Sequence, residues 1–315
     1  MSEFESFYPP KPKLVNTSKK SHWHNMVMSL LLISGFFILF FADSWILFSM
    51  MVGVLVVHEL GHFLFMKIFS YKDARMFLFP FFSKYVKGKK VKISQVKRMV
   101  VLLAGPLPGI FIGAALFYYA QSTQSQLLMW MAIFFLTLNI FNLLPIDPLD
   151  GGKMLETMIY ENHGGFKVLF SFLSSLIFIA IGYLFSSWVI VIFGFLLGFR
   201  VRMLQKIKSI HSELDDKSIN YRKTYKYLTD ADYWQIRDSF IGHTPGLKDV
   251  VPGYREVWEN EQLIASQINQ LLLAPIKNDL RMTSRLFLIL IWLIMIFAPF
   301  IMFLYSDLTW FYNGF

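Results

Sequence analysis

Stretches of about twenty apolar residues recur along this chain, and that recurrence limits the folds open to it more than any other feature. A bilayer's hydrocarbon core is about 30 Å thick, and a helix rising 1.5 Å per residue needs about 20 residues to cross it. Met26–Ala42, Trp45–Phe69, Met99–Ala120, Leu127–Pro145 and Leu286–Tyr305 each read as one span. Phe166–Gly198 has 33 residues, about 50 Å as a single helix. It divides at Gly182 and Ser186–Ser187 into Phe166–Phe185 and Trp188–Gly198, the second continuing toward Arg202. Only 16% of the residues are charged, against about 25% in a soluble domain.

The charges follow the spans. Residues 1–25 carry four Lys/Arg, residues 67–98 ten and residues 200–285 fourteen. The loop Gln121–Gln126, the turns at Asp43 and Ser186, and the tail 306–315 carry none. Cytoplasmic loops collect Lys and Arg. Seven spans from a cytoplasmic N-terminus put every basic segment inside, so the net charge of +9 reports orientation and nucleic acid is not an expected partner. Cysteine is absent, which excludes a disulfide framework, a Cys-ligated metal and a thiol nucleophile. The first 25 residues are polar and rich in Pro and Lys, unlike a cleavable signal.

Within the second span stands His58-Glu59-Leu60-Gly61-His62, an H-E-x-x-H pattern. Residues i and i+4 share a helix face, so both imidazoles can reach one metal, and Glu59 can serve a metal-bound water as general base. With seven His, chance supplies roughly 0.004 such matches in a chain of this composition. The bland alternative is a polar cluster packing the bundle, but two His and a Glu in hydrocarbon cost several kcal/mol without partners. A catalytic zinc site usually has three protein ligands. The third here would be Asp, Glu or another His. The best candidate is Asp150 in Asn142-Leu143-Leu144-Pro145-Ile146-Asp147-Pro148-Leu149-Asp150-Gly151-Gly152. Pro145 and Pro148 must break the helix, and Gly151–Gly152 permit a sharp turn. Irregular backbone at membrane depth belongs in a protein interior or a watery cavity.

These residues resemble the site-2 protease family of intramembrane zinc metalloproteases. His58-Glu59-Leu60-Gly61-His62 is similar to the family's H-E-x-x-H, and Asn142 to Gly152 to its N-x-x-P…L-D-G motif. Gly105-Pro106-Leu107-Pro108-Gly109 resembles its intervening G-x-x-x-(N/S/G) stretch. The resemblance covers roughly residues 26–205, and residues 206–285 match no CBS domain. It implies an all-α polytopic membrane protein, about seven helices around a buried Zn2+ held by His58, His62 and Asp150. Glu59 would be catalytic, and Asn142 and Pro145 substrate-binding. The implied reaction is peptide hydrolysis in or near a transmembrane helix of a membrane-tethered substrate, typically a regulator. The expected location is a bacterial inner membrane. A non-catalytic metal transporter or pseudoprotease scaffold is the alternative, and Glu59 counts against it. A metallopeptidase of another family would take a downstream Glu, such as Glu156 or Glu161, as third ligand.

Other segments carry weaker readings. Asn142 has a bland role capping backbone in the broken helix. Asp147 reads as solvated or turn-forming. Gly105 and Gly109 read as a close-packing helix face. Val86–Ile93 partly alternates around Gly88, so the segment from Tyr71 to Ser94 is either an interfacial loop or a membrane-associated β-hairpin with a free edge. The expected organisation is a tail at 1–25, a protease core at 26–205, a small cytoplasmic helical module at 206–285, a last span at 286–305 and an external tail at 306–315. Within the module, Glu259–Leu273 reads as an amphipathic helix.

Overall fold

The computed structural model describes residues 8–14, 44–71, 93–159, 164–252, 256–273 and 276–312. The expected span at Met26–Ala42 and the expected hairpin at Val86–Ile93 lie outside the described residues, apart from Ile93. Among the described residues, six helical segments are long and apolar enough to cross a membrane: Trp45–Ile68, Gln95–Thr123, Gln126–Leu143, Gly165–Leu184, Trp188–Asp216 and Met282–Leu304. The only strands there are β1 (Ile93–Ser94) and β2 (Ile276–Lys277), which pair with each other. The protein is an all-α, multi-pass integral membrane protein.

The chain divides into two compact units. The first comprises residues 20–90, 94–161 and 277–315. Its described helices are α1 (Trp45–Ile68), α2 (Gln95–Ala104), α3 (Pro106–Thr123), α4 (Gln126–Leu143), α5 (Asp150–Met158), α11 (Met282–Leu304) and α12 (Thr309–Tyr312). Ser44, Ser94 and Ser125 begin α1, α2 and α4 by accepting a backbone N–H from three residues ahead, which satisfies donors left over in a first turn. Gly105 and Pro106 divide the expected third span into α2 and α3. At the end of α4, Leu144 is forced extended (ψ 142°) because it precedes Pro145. The Leu143 carbonyl left open there accepts from Trp292 Nε1 of α11 at 2.8 Å. Met99, Leu102 and Leu103 of α2 pack with Met154 and Met158 of α5 and with Leu288 and Met295 of α11. Large apolar side chains such as Leu64, Phe111 and Phe297 point outward and are more than half exposed, as a lipid-facing surface requires.

The second unit comprises residues 1–19, 91–93 and 162–276. It holds α6 (Gly164–Leu184), α7 (Trp188–Asp216), a 3₁₀ turn (Tyr225–Tyr227), α8 (Asp230–Gly242), α9 (Pro245–Lys248) and α10 (Glu261–Leu271). The apolar stretch 166–198 is two helices, turning at Phe185–Ser187 with Ser186 at φ 51°. Close approach explains their pairing. A Cβ on Gly194 would stand 2.6 Å from Ile179 Cγ1, and Ser175 Oγ donates to the Gly194 carbonyl at 2.8 Å. α7 does not stop near Arg202. It runs 29 residues to Asp216, about 44 Å, which outreaches the hydrocarbon core. Its far end, Ile210 and Leu214, is fully buried among Tyr233, Trp234, Ile236, Ala265 and Ile268 of the helical module.

Candidate metal centre

The site begins on α1. His58 and His62 lie one turn apart, with imidazole centroids 4.8 Å from each other. Both His58 and Glu59 are buried, while Leu60 faces out at 50% exposure. Asp150 is the first residue of α5. Its Oδ2 lies 3.1 Å from His58 Nε2 and 2.9 Å from His62 Nε2, and the two Nε2 atoms are 3.1 Å apart. This is the His/Asp/Glu group that could hold a metal among the described residues. Asp150 comes beside His58 and His62 after a non-helical connection through Pro145 and Pro148 that separates the end of α4 from the start of α5.

The outer hydrogen bonds decide which nitrogen of each ring carries its proton. His62 Nδ1 lies 2.8 Å from the Val101 carbonyl, which can only accept. Asn139 donates its Nδ2 to the Phe135 carbonyl at 2.7 Å. Its Oδ1 therefore accepts from His58 Nδ1, 2.9 Å away. In the neutral rings both Nε2 atoms then present lone pairs. Two lone pairs and a carboxylate oxygen, all within 3.1 Å of one another, repel unless a cation sits among them. The edge of a zinc tetrahedron with ligands at 2.0–2.1 Å is about 3.3 Å, close to these separations. The donor set fits zinc, and the Nδ1 partners match the usual outer shell of ligating histidines.

Glycines make room for this arrangement. A Cβ on Gly61 would stand 2.0 Å from the Ala104 carbonyl, so α1 and α2 touch there. A Cβ on Gly105 would stand 2.3 Å from His62 Nε2, and one on Gly109 would stand 2.1 Å from Asn139 Nδ2. The Gly105–Gly109 stretch is thus a close-packing face as read from the sequence, and what it packs against is His62 and its partner's orienting amide. Gly151 and Gly152 correct an expectation. They open α5 rather than making a turn, and no described glycine has positive φ. Their bare backbone lets α5 lie against the Leu143 and Ile146 carbonyls, 2.0 and 2.4 Å from where Cβ atoms would be.

The remaining candidates fall around this centre. Asn142, one turn after Asn139, is buried and donates Nδ2 to the Leu138 carbonyl at 3.0 Å. Pro145 is exposed and Asp147 buried. Glu156 stands 3.9 Å from Arg98 and is outside the converging group; Glu161 is outside the described residues. Two participants lie outside the sequence motifs. Asn139 was an extra amide in an apolar span. Lys153, three residues after Asp150, places Nζ 3.0 Å from Asp150 Oδ1. The polar residue one turn from each motif residue was the signal available.

These observations define a class: an integral membrane protein with two histidines and an aspartate converged, in its first unit, for a metal. Residues 118–168 match the model of Peptidase family M50, a stretch containing Asn139, Asn142, Asp150 and Lys153 but not His58 or His62. Over 147 residues the chain is 29% identical to a zinc metalloprotease of Methanocaldococcus jannaschii, covering 45% of this chain and 42% of that protein. Over 110 residues it is 34% identical to stage IV sporulation protein FB of Bacillus subtilis, covering 32% and 36%. The chain thus spans less than half the length of either curated relative. A site-2 protease structure from Methanocaldococcus jannaschii matches with TM-score 0.40 and 21% identity, over 57% of this chain and 87% of that one. The resemblance to the site-2 protease family, peptidase family M50, stands.

Proposed function

We propose that this chain is an intramembrane zinc metalloprotease that hydrolyses a peptide bond in or near a transmembrane segment of a membrane-tethered substrate, a signalling regulator. The observation that carries the reading is the convergence of His58, His62 and Asp150, with Glu59 buried beside them on a membrane helix. The relative from Methanocaldococcus jannaschii bears the name zinc metalloprotease, which supports the same reading.

His58 and His62 offer Nε2 atoms whose tautomers are set by Asn139 and Val101. Asp150 offers Oδ2, while Lys153 engages its Oδ1. His58, His62 and Asp150 would hold a zinc ion, which would lower the pKa of a bound water to about 7 and polarise a carbonyl. Glu59 would accept a proton from the attacking water and pass it to the leaving amine. Asn142 and Pro145, at the broken end of α4, contact the substrate backbone. A substrate helix has its carbonyls already hydrogen-bonded and unwinds locally before cleavage, so Pro or Gly near the scissile bond helps.

We assign the protein to a bacterial inner membrane, with residues 1–25 and the helical module in the cytoplasm, on the Lys/Arg distribution. The test compares membrane proteomes of cells making the active chain and the Glu59→Gln chain. A membrane-anchored protein that accumulates uncut only with Glu59→Gln is the expected result. Identical proteomes, with both chains expressed and zinc-loaded, would overturn the reading.

A further inference from the structure

Tyr8-Pro9-Pro10-Lys11-Pro12-Lys13-Leu14 is unusually constrained for a segment outside helices and strands. Proline fixes its own φ near −65° and pushes the preceding residue into extended backbone. Three prolines therefore favour an extended, polyproline II-like course from Pro9 through Pro12, with about three residues per turn, after a bend at Tyr8. The segment lies on the helical module of its own unit, and its contacts follow that three-fold period. Pro9 and Pro12, one turn apart, present carbonyls to two aromatic donors: Trp234 Nε1 donates to Pro9 O at 2.7 Å and Tyr225 OH to Pro12 O at 2.8 Å. Tyr8 and Lys11 form a second edge. Tyr8 packs on the module's core and accepts from Gln235 Nε2 at 3.3 Å. Pro10 and Lys13 form the third edge, which is exposed.

Lys11 makes the recognition specific. Its backbone N–H donates to Asp230 Oδ1 at 2.9 Å. Its ammonium donates to the carbonyls of Tyr225, Lys226 and Leu228 where the 3₁₀ turn ends, and it lies 5.5 Å from the Tyr225 ring centroid. A compact cation with three donors suits three carbonyls. Proline-rich segments in general dock in aromatic-lined grooves of this sort, because an extended helix formed in advance loses little entropy on binding.

We infer that the face of the helical module formed by residues 225–235 is a peptide-recognition site for extended proline-rich segments with a lysine between prolines, and that Tyr8–Leu14 is its resident ligand. A segment of the same chemistry in another protein competes for it. The inference is independent of the metal centre.

The probe is a fluorescent synthetic peptide of residues 8–14, titrated into the full chain in detergent and into a variant lacking residues 1–14. The shortened chain is expected to bind it saturably, and the full chain at least about ten-fold more weakly, because its own segment holds the site. In the shortened chain Trp234→Phe keeps an aromatic ring, though a smaller one, but loses the N–H, and weakens binding about five-fold. A peptide with alanine at the three prolines loses binding. A shortened chain with native near-UV circular dichroism that ignores the peptide would overturn the inference, as would equal binding of the alanine peptide. If the shortened chain does not fold, the full chain serves. Excess unlabelled peptide, or Trp234→Phe with Tyr225→Phe, should then speed tryptic cleavage after Lys13 several-fold. Unchanged cleavage in both cases would refute the inference.

Discussion

Asn139 Oδ1 accepts from His58 Nδ1 at 2.9 Å, and the same amide is locked the other way by its bond to the Phe135 carbonyl. One buried asparagine on α4 thereby fixes both the orientation and the tautomer of a histidine on α1. Outer partners of this kind typically matter 10–100-fold for metal affinity. Asn139→Ala is expected to weaken zinc binding by about that factor with the helices intact, as read by competition against a chromophoric chelator. Unchanged affinity would show that His58 is oriented by packing alone.

Lys153 divides the carboxylate of Asp150 by engaging Oδ1, which leaves Oδ2 facing the histidines. Lys153→Met should let both oxygens turn toward the metal. In cobalt-loaded protein the visible spectrum should shift toward higher coordination, and Lys153→Arg should restore it. A Lys153→Met spectrum identical to the parent's would remove this role.

Gly105 has no space for a side chain, since its Cβ would stand 2.3 Å from His62 Nε2. Gly105→Ala must move the imidazole or separate the α1 and α2 backbones. Overpacking of this kind costs about 1–3 kcal/mol, and the mutant should lose most of its zinc. Gly53 on the same α1 has nothing within 4 Å of its Cβ position, so Gly53→Ala should keep metal and stability. Equal zinc content in the two variants would contradict the packing account.

Much of this was legible in the sequence, for physical reasons that also explain the failures. A membrane helix must satisfy its backbone internally and show apolar atoms to lipid; α1, α4 and α11 were therefore readable to within a few residues. The i, i+4 histidines were readable because helix geometry alone puts them on one face. Asn139 and Lys153 were not, because spacing within a segment does not name a partner on another helix. The length of α7 was missed where apolar residues gave way to charged ones after Gly198. Lys, Gln and Glu are good helix formers, so loss of hydropathy marked an exit from lipid rather than the end of the helix. Glu261–Leu271 was recognisable by its amphipathic period. The long-range pairing of Glu261 was invisible.

That pairing yields a stability prediction for the second unit. Arg237 is fully buried, with Nε 2.8 Å from Glu261 Oε1 and Nη2 3.2 Å from Oε2. Tyr233 OH also donates to Glu261, at 2.7 Å. Arg237→Met leaves a buried carboxylate without its cation, which costs about 3–5 kcal/mol. The double change Arg237→Met with Glu261→Leu should recover a large part of that loss. Thermal unfolding followed by tryptophan fluorescence measures both, and a double variant no better than the single one would deny the pair its role.

Alkaline pH probes the same core. Burial, followed by the hydrogen bond to and the charge of Glu261, pushes the Tyr233 phenol well above its ordinary value; Tyr225 is raised mainly by burial and then by Glu261 and Asp230. Both groups are neutral in the fold and ionise more easily unfolded. Their contribution is therefore complete below a pH of about 10, the unfolded value, and is lost as pH rises toward the folded values. The module's melting temperature should fall as pH rises above about 10, with Tyr233→Phe making the decline less steep. A pH-independent melting curve up to strong alkali would sink this reading.

The sharpest test of the proposed chemistry is Glu59→Gln. Gln is nearly isosteric with Glu, so the packing of α1 should change little at this buried position. Glu59 is not one of the three converging residues, so zinc should remain at about one per chain. His62→Ala, by contrast, should lose it. What Glu59→Gln removes is the group proposed to accept the water proton, and general base catalysis typically contributes 10²–10⁴-fold. Proteolysis should fall by at least that factor while a substrate is still bound, and a stalled enzyme–substrate complex should be recoverable by cross-linking. A transporter or scaffold built on the same three residues would keep its function through this change. Full cleavage by zinc-loaded Glu59→Gln protein would refute the assigned role and make Asp147, also buried near the site, the next carboxylate to replace.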